Sequence, residues 1–311
     1  MIVKRQFDPR RVLWYVRREL ITVGLVSTTV YGAQHLGLIG QGLPFSVAAI
    51  LGSALAIFIA FRNNSSYGRW WEARTLWGGI VNSSRVLARL VITFTDSHAH
   101  QPNFEPGRSL QFKQSMVMKI AAWAHVLRLH LRMQAGLDDI AHLVSASELE
   151  ALKIAHNKPN FLHMLMGKEI YEAMANGTLG GFDSFQMEGQ MLALANYQGG
   201  CERIKNTPLL RQYDYFTRLF LYVFILVLPL SLIGDFARMD MAIMTVPVSM
   251  LVAFVFAIIG KVGEVNEDPF ENRITDVPLT ALCNTIERDV LELLGNQALP
   301  EKMEATNGFI Y

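Results

Sequence analysis

The sequence predicts an all-α, polytopic membrane protein, with four transmembrane helices and a large helical cytosolic region. Three observations carry that reading. The 311 residues are 51% hydrophobic and only 18% charged. The apolar residues are concentrated: no Asp, Glu, Lys or Arg occurs between Leu20 and Phe61, and a second apolar cluster lies between Arg218 and Lys261. No stretch shows the alternating pattern of a half-buried strand.

A bilayer span needs about 20 predominantly apolar residues. The first run therefore holds two spans, reversing at Gly40-Gln41-Gly42-Leu43-Pro44, and Asp235, Arg238 and Asp240 divide the second into Leu219 to Gly234 and Met241 to Gly260. The organisation expected is an amphipathic segment over 1–19, transmembrane helices 1 and 2 over 20–61, a cytosolic helical region over 62–212, transmembrane helices 3 and 4 over 213–262, and a cytosolic C-terminal helix and tail over 263–311. Lys4, Arg5, Arg10, Arg11, Arg17 and Arg18 precede the first span, and Arg62, Arg69 and Arg74 follow the second. Arg211 and Arg218 precede the third, Lys261 follows the fourth, and Arg238 alone lies in the short reversals. By the positive-inside rule both termini and the middle region face the cytoplasm of a multi-pass inner-membrane protein. The first apolar run is too long for a signal-peptide core.

Taken in order, residues 1–19 place Phe7, Val12, Leu13, Trp14 and Val16 among charges, which suits an interfacial segment at the inner membrane surface. Span one carries a lone histidine, His35. Span two, from Leu51, runs without Pro into Arg62, Asn63, Asn64 and then Arg69, Trp70, Trp71, Glu72 and Arg74. This reads as one helix leaving the membrane through the headgroup layer and continuing towards Ser97, since Trp and Arg keep polar tips wet there. Within it Ser53, Ile57 and Phe61 fall at i, i+4 and i+8 and form one stripe, which either packs on a neighbouring span or lines a pore.

A loop over His98 to Gly107 precedes a helix from Leu110 to about Met133, where His125 and His130 read as structural. Ser145-x-x-Glu148 is a capping box opening a helix through Ile154. Asn157 to Asn160 reads as a break before a helix from Phe161 to Asn176, with Gly177 fit to stop it. After Gly180-Gly181 comes Phe182, then Asp183 or Ser184 as a cap for a helix to Tyr197, closed by Gly199-Gly200 and Thr207-Pro208. Pro229 and Pro247 lie inside spans three and four, where each is expected to free a carbonyl and bend its helix. The last helix starts near Thr275-Asp276-Val277-Pro278 and stops at Gly295, leaving an extended tail.

The chemistry of an enzyme is missing. There is no nucleophile elbow, phosphate loop, H-E-x-x-H pair or dinucleotide fingerprint. His98 and His100 have a ligand-like spacing without an accompanying acid or thiol cluster. Cys201 and Cys283 are isolated, and Asp138-Asp139 and Glu267-Asp268 read as solvated helix ends. The expectation is no enzyme, no cofactor and no metal. A net charge of +1, with its basic residues explained by topology, gives no reason to expect nucleic acid.

The stretch FRNNSSYGRWWEAR from Phe61 to Arg74, followed by Leu76-Trp77-Gly78, resembles the bestrophin family, in its bacterial branch. Further agreement lies at Gly199-Gly200-Cys201-Glu202-Arg203, Leu228-Pro229-Leu230 with Gly234-Asp235, Glu267-Asp268-Pro269-Phe270, and Cys283-Asn284-Thr285-Ile286-Glu287-Arg288, in family order across most of the chain. The resemblance implies a homopentamer in membrane lipid around one central pore that passes inorganic ions. It also implies that the second span lines a hydrophobic neck of three positions spaced by four, here Ser53, Ile57 and Phe61. Ser53 departs from the bulkier apolar residue usual at the outer position. A second, cytosolic constriction is implied at Phe182, with Leu179 as fallback. The acids of the calcium clasp of animal members are reduced to Glu267, Asp268 and Glu271, interrupted by Asn272 and Arg273, too few for the 6 to 8 oxygen ligands calcium takes. The expected function is passive ion conduction, with anions such as chloride favoured and cations open. The alternatives are a membrane scaffold or signalling protein without conduction, and a membrane-anchored enzyme using a polar cluster in 62–212.

Overall fold

A computed structural model describes residues 1–4, 8–40, 42–100, 102 and 104–311. Arg5 and Phe7 of the basic lead-in and Gln41 of the first reversal lie outside the described residues. In chain order the helices are α1 (Pro9–Tyr15), α2 (Arg17–His35), α3 (Phe45–Phe94), α4 (Pro106–Leu131), α5 (Ala146–Ile154), α6 (Lys158–Ala175), α7 (Gly181–Asn206), α8 (Arg211–Arg238), α9 (Thr245–Asn266) and α10 (Leu279–Leu293). Among the described residues there is no strand, only isolated bridges at Ile2 with Phe309 and Thr306 with Phe309.

Among the described residues three helical stretches are long and apolar enough to cross a membrane: Phe45–Phe94, Gly181–Arg238, which takes in both α7 and α8, and Ala242–Asn266. The expected first span, α2, is not among them, because this 19-residue helix begins with Arg17, Arg18 and Glu19 and ends with Gln34 and His35, while Thr22, Ser27, Thr28 and Thr29 further dilute its apolar residues.

The chain divides into two compact units. The apolar unit contains Lys4–Trp70 and Pro208–Asp268. In it α2 packs on α8 and α9, and α8 on α9, around Val23, Ala48, Leu55, Ile59, Phe224, Ile225, Leu228, Ala253 and Ala257. The buried face of α9 is a row of small residues, Thr245, Ser249, Ala253, Ala257, Gly260 and Gly263. Its exposed face carries Leu251, Val255, Ile259 and Val262. Small inside and large apolar outside inverts the pattern of a water-soluble bundle and lets backbones approach closely, as packing in lipid requires.

The bundle unit contains Met1–Val3, Trp71–Thr207 and Pro269–Tyr311. Its centre is α4, which packs on α6, α7 and α10. Met116, Ile120, Trp123, Val126 and Leu127 of α4 are all buried, and a helix so covered must be enclosed by others. Burial alone would lower the Lys119 ammonium pKa. Glu148 at 2.8 Å and Glu169 at 2.6 Å overcome that and leave it raised. The predicted capping box is present: Ser145 N–H donates to Glu148 at 2.9 Å, and Glu148 N–H donates to Ser145 Oγ. Burial pushes the Cys201 and Cys283 thiols up to about 12, so both stay protonated and unreactive at neutral pH. The tail lies along α10, where Asn284 Nδ2 donates to Glu301 O at 3.0 Å and Arg288 donates to Pro300 O.

Several boundaries correct the sequence reading. Helix α3 ends at Phe94, before Ser97. Helix α4 begins at Pro106, where a proline at N1 forgoes only an N–H that has no helical partner anyway. Asn157 to Asn160 is a start rather than a break, with Asn157 Oδ1 accepting from Asn160 N–H at 3.0 Å. Gly177 and Gly295 do occupy positive φ after their helices, +80° and +89°. Gly199-Gly200 does not end α7: a Cβ on Gly200 would lie 3.0 Å from the methyls of Leu76, and one on Gly79 would lie 2.4 Å from the Tyr197 ring. These glycines let α3 and α7 approach. Pro247 sits in the first turn of α9, so Pro229 alone of the two is internal to its helix.

Glu287 on α10 joins α4 to the segment after α4, because His125 Nε2 lies 2.8 Å from one carboxylate oxygen and His142 Nε2 2.9 Å from the other. Burial raises its pKa, but these hydrogen bonds outweigh burial and hold it net below 4.5. A depressed carboxylate contributes stability that is present above the unfolded value and lost as pH falls through the lower folded one. Thermal unfolding between pH 3 and 7 should therefore show an acid-side loss that Glu287→Gln removes, at a cost of about 1.5–3 kcal/mol at neutral pH.

Candidate functional site

A helix rotates by about 100° per residue, so Ser53, Ile57 and Phe61 keep to one side of α3. That side is open in the single chain: Ile57 is 57% and Phe61 63% exposed, and Ser53 is exposed too. Ile50, Asn64 and Gly68 continue it. The opposite side, Ala48, Leu55, Ile59, Arg62 and Ser66, is buried. The Ser53 hydroxyl donates to Ala49 O at 2.8 Å, so its proton is already committed to the helix backbone.

What fixes this register lies directly after the stripe. Arg62, 3% exposed, pairs with Asp214 of α8 at 2.6 Å and with Glu267, just past α9, at 3.5 Å. Arg69 Nε donates to Glu267 O at 2.9 Å. Asn63 Nδ2 donates to Ile259 O on α9 at 2.8 Å. The Asn63 carboxamide occupies space that any Cβ at Gly263 would fill, since that Cβ would lie 2.1 Å from Asn63 Oδ1. A small residue on α9 and a polar residue on α3 thus lock the two helices together. Arg218 to Asp214 at 3.1 Å and Lys261 to Glu264 at 2.6 Å extend the charged layer.

Within the motif Arg62, Asn63 and Arg69 are accordingly anchors. Arg62 is not a headgroup residue with a wet tip, and Trp77 is fully buried in the bundle unit. The sequence reading missed Asp214, Glu267 and Gly263 as partners of Arg62 and Asn63.

In the bundle unit, Phe182 is the second residue of α7 and is 72% exposed. The fallback, Leu179, is 2% exposed and belongs to the core. Phe185, one turn on, is as exposed as Phe182 and was not expected from sequence. Asp183 holds this turn, its Oδ2 accepting from Gly180 N–H at 3.0 Å and from Ser97 Oγ at 2.8 Å. Among the described residues no group of three His, Cys, Asp or Glu side chains is arranged to hold a metal.

A family model described as Bacterial/Fungal Bestrophin protein matches residues 8–292. Voltage-dependent anion channel-forming protein YneE of Escherichia coli K12 is 33% identical over 269 residues, covering 86% of this chain and 82% of that protein. Voltage-dependent anion channel-forming protein RSc3414 of Ralstonia nicotianae is 30% identical over 264 residues, covering 84% and 80%. The crystal structure of a bacterial bestrophin homolog from Klebsiella pneumoniae, 28% identical, superposes with a TM-score of 0.80 over 91% of this chain and 100% of that one. A single-substitution variant of that homolog gives 0.81 over 94% and 100%.

Removing one partner of a buried ion pair leaves an uncompensated charge and costs about 3–5 kcal/mol. Arg62→Gln should destabilise the protein by that amount, read as a lowered thermal midpoint in detergent, whereas Arg218→Gln, at an exposed pair, should cost under about 1 kcal/mol.

Proposed function

We propose that this chain, which belongs to the bacterial and fungal bestrophin family, is one subunit of a homopentameric, passive ion channel of the inner membrane. The observation that carries the reading is the open stripe of α3. Apolar Ile57 and Phe61 face away from their own unit, while buried Arg62 and half-buried Asn63 hold the helix from behind. A second copy or a pore can cover that face. Around a five-fold axis Ser53, Ile57 and Phe61 form a neck, with Ser53 as its outer lip. A tight ring of Ile and Phe disfavours water, and an ion stripped of water without compensating ligands meets a steep barrier, so small dilations gate it.

Phe182 forms the cytosolic constriction, where its exposed ring suits a lining position better than buried Leu179 does. The helix α2, packed on α8 and α9, is the fourth span. The placement of basic residues supports cytoplasmic termini. The permeant ion is an anion such as chloride, on the strength of what the Escherichia and Ralstonia relatives are named to form. Among the neck residues Ser53 has its proton engaged by Ala49 O, so the sign preference arises outside the neck.

The test is flux and reversal potential of purified protein in liposomes and planar bilayers under separate chloride and sodium gradients. A reversal near the chloride equilibrium value is expected. Every 1.4 kcal/mol off a barrier speeds passage about tenfold, and Ile57→Ala with Phe61→Ala should raise flux by at least that factor. A folded pentamer silent both intact and with the double substitution points to a scaffold instead.

A further inference from the structure

We infer that Gly180, His98 and Asp183 form a seat that positions the Phe182 ring and thereby sets which ions pass the cytosolic constriction; this rests on Phe182 being that constriction. An exposed ring has little of its own chain packed on it, so where it points is decided by the backbone that carries it. That backbone is pinned. Asp183, the next residue, accepts from the Gly180 N–H and from Ser97 Oγ, and Ser184 N–H donates to Gly180 O at 3.0 Å.

The neighbouring position is filled from outside the helix. A Cβ on Gly180 would lie 2.4 Å from His98 Nε2 and 3.1 Å from Asp183 Oδ2. The imidazole occupies the place where any other residue would carry its side chain. His98 belongs to the turn after α3, which is itself tied down: Ser97 N–H donates to Phe94 O at 3.1 Å and Ala99 N–H to Asp96 O at 3.0 Å. Asp96 accepts from Ser109 and Lys113 of α4. A line of contacts thus runs from α4 through Asp96, Ser97 and His98 to Gly180 and Asp183, and ends at Phe182. The histidine of the His98-Ala-His100 loop acts here as a wedge rather than a ligand.

The wedge requires that Gly180→Ala and His98→Ala remove the same contact, the first by pushing the imidazole out and the second by deleting it. The experiment measures permeability of reconstituted full-length channel to chloride against gluconate, or to sodium against N-methylglucamine if the current follows sodium. Each single variant should change the large-to-small ratio about threefold or more in one direction, and the double variant should change it no further, because coupled neighbours are not additive. Ser97→Ala removes one hydrogen bond and little volume, so it keeps the test open should Gly180→Ala fail to fold, and its shift should have the same sign. Phe182→Ala separates the two ideas. If it moves the ratio while the seat variants do not, the seat is overturned and the constriction stands. If Phe182→Ala itself leaves the ratio unchanged, the constriction is misassigned and the seat falls with it. Additive effects of Gly180→Ala and His98→Ala also overturn the shared contact.

Discussion

The buried guanidinium of Arg62 is the constraint on which the apolar unit depends. Taking a guanidinium and two carboxylates out of water is costly, and their attraction repays it only with good geometry and further hydrogen bonds. Here Asp214 and Glu267 come from two different helical segments, so the charge is balanced only when α3, α8 and the end of α9 meet at one register. Apolar packing alone would tolerate a rotated or shifted α3, since one methyl-rich face resembles another. The ion pair does not, and the rotation it selects leaves Ile57 and Phe61 facing outward. Small residues on α9 complete the arrangement by admitting Asn63.

Much of this was legible because it is local. The capping box at Ser145 and Glu148 is an i, i+3 pattern, the stripe on α3 an i, i+4 pattern, and Gly177 and Gly295 stop helices through their own backbone preference. What was not legible is what arrives from elsewhere in the chain. Nothing near Arg62 announces Asp214 or Glu267. Gly199-Gly200 looks like a break until Leu76 is seen against it, and the Pro-Gly that opens α4 looks like a loop because a proline at a helix start and one in a turn read alike. The candidate site divides the same way. Spacing and resemblance bring out Ser53, Ile57, Phe61 and Phe182, while Phe185 left no signal beyond being apolar, and exposure is a property of the fold.

The two cysteines and Glu287 with its two histidines are groups of reactive chemical type that the fold makes structural. A thiol held protonated by burial is a small apolar residue, and a carboxylate whose two oxygens each face a histidine is a clamp between helices. The bundle unit spends its polar chemistry on fastening segments around α4.

The covering of α4 has a temporal side. Helix α4 is covered by α6 and α7 as well as by α10. The first two follow soon after it, but the side that meets α10 waits on the ribosome until everything from Arg132 to Pro278 is made, including both α8 and α9. At about 5–20 residues per second that is on the order of ten seconds. The contact between α4 and α10 is therefore the last of the bundle unit to form, and truncation within α10 leaves that side of α4 open.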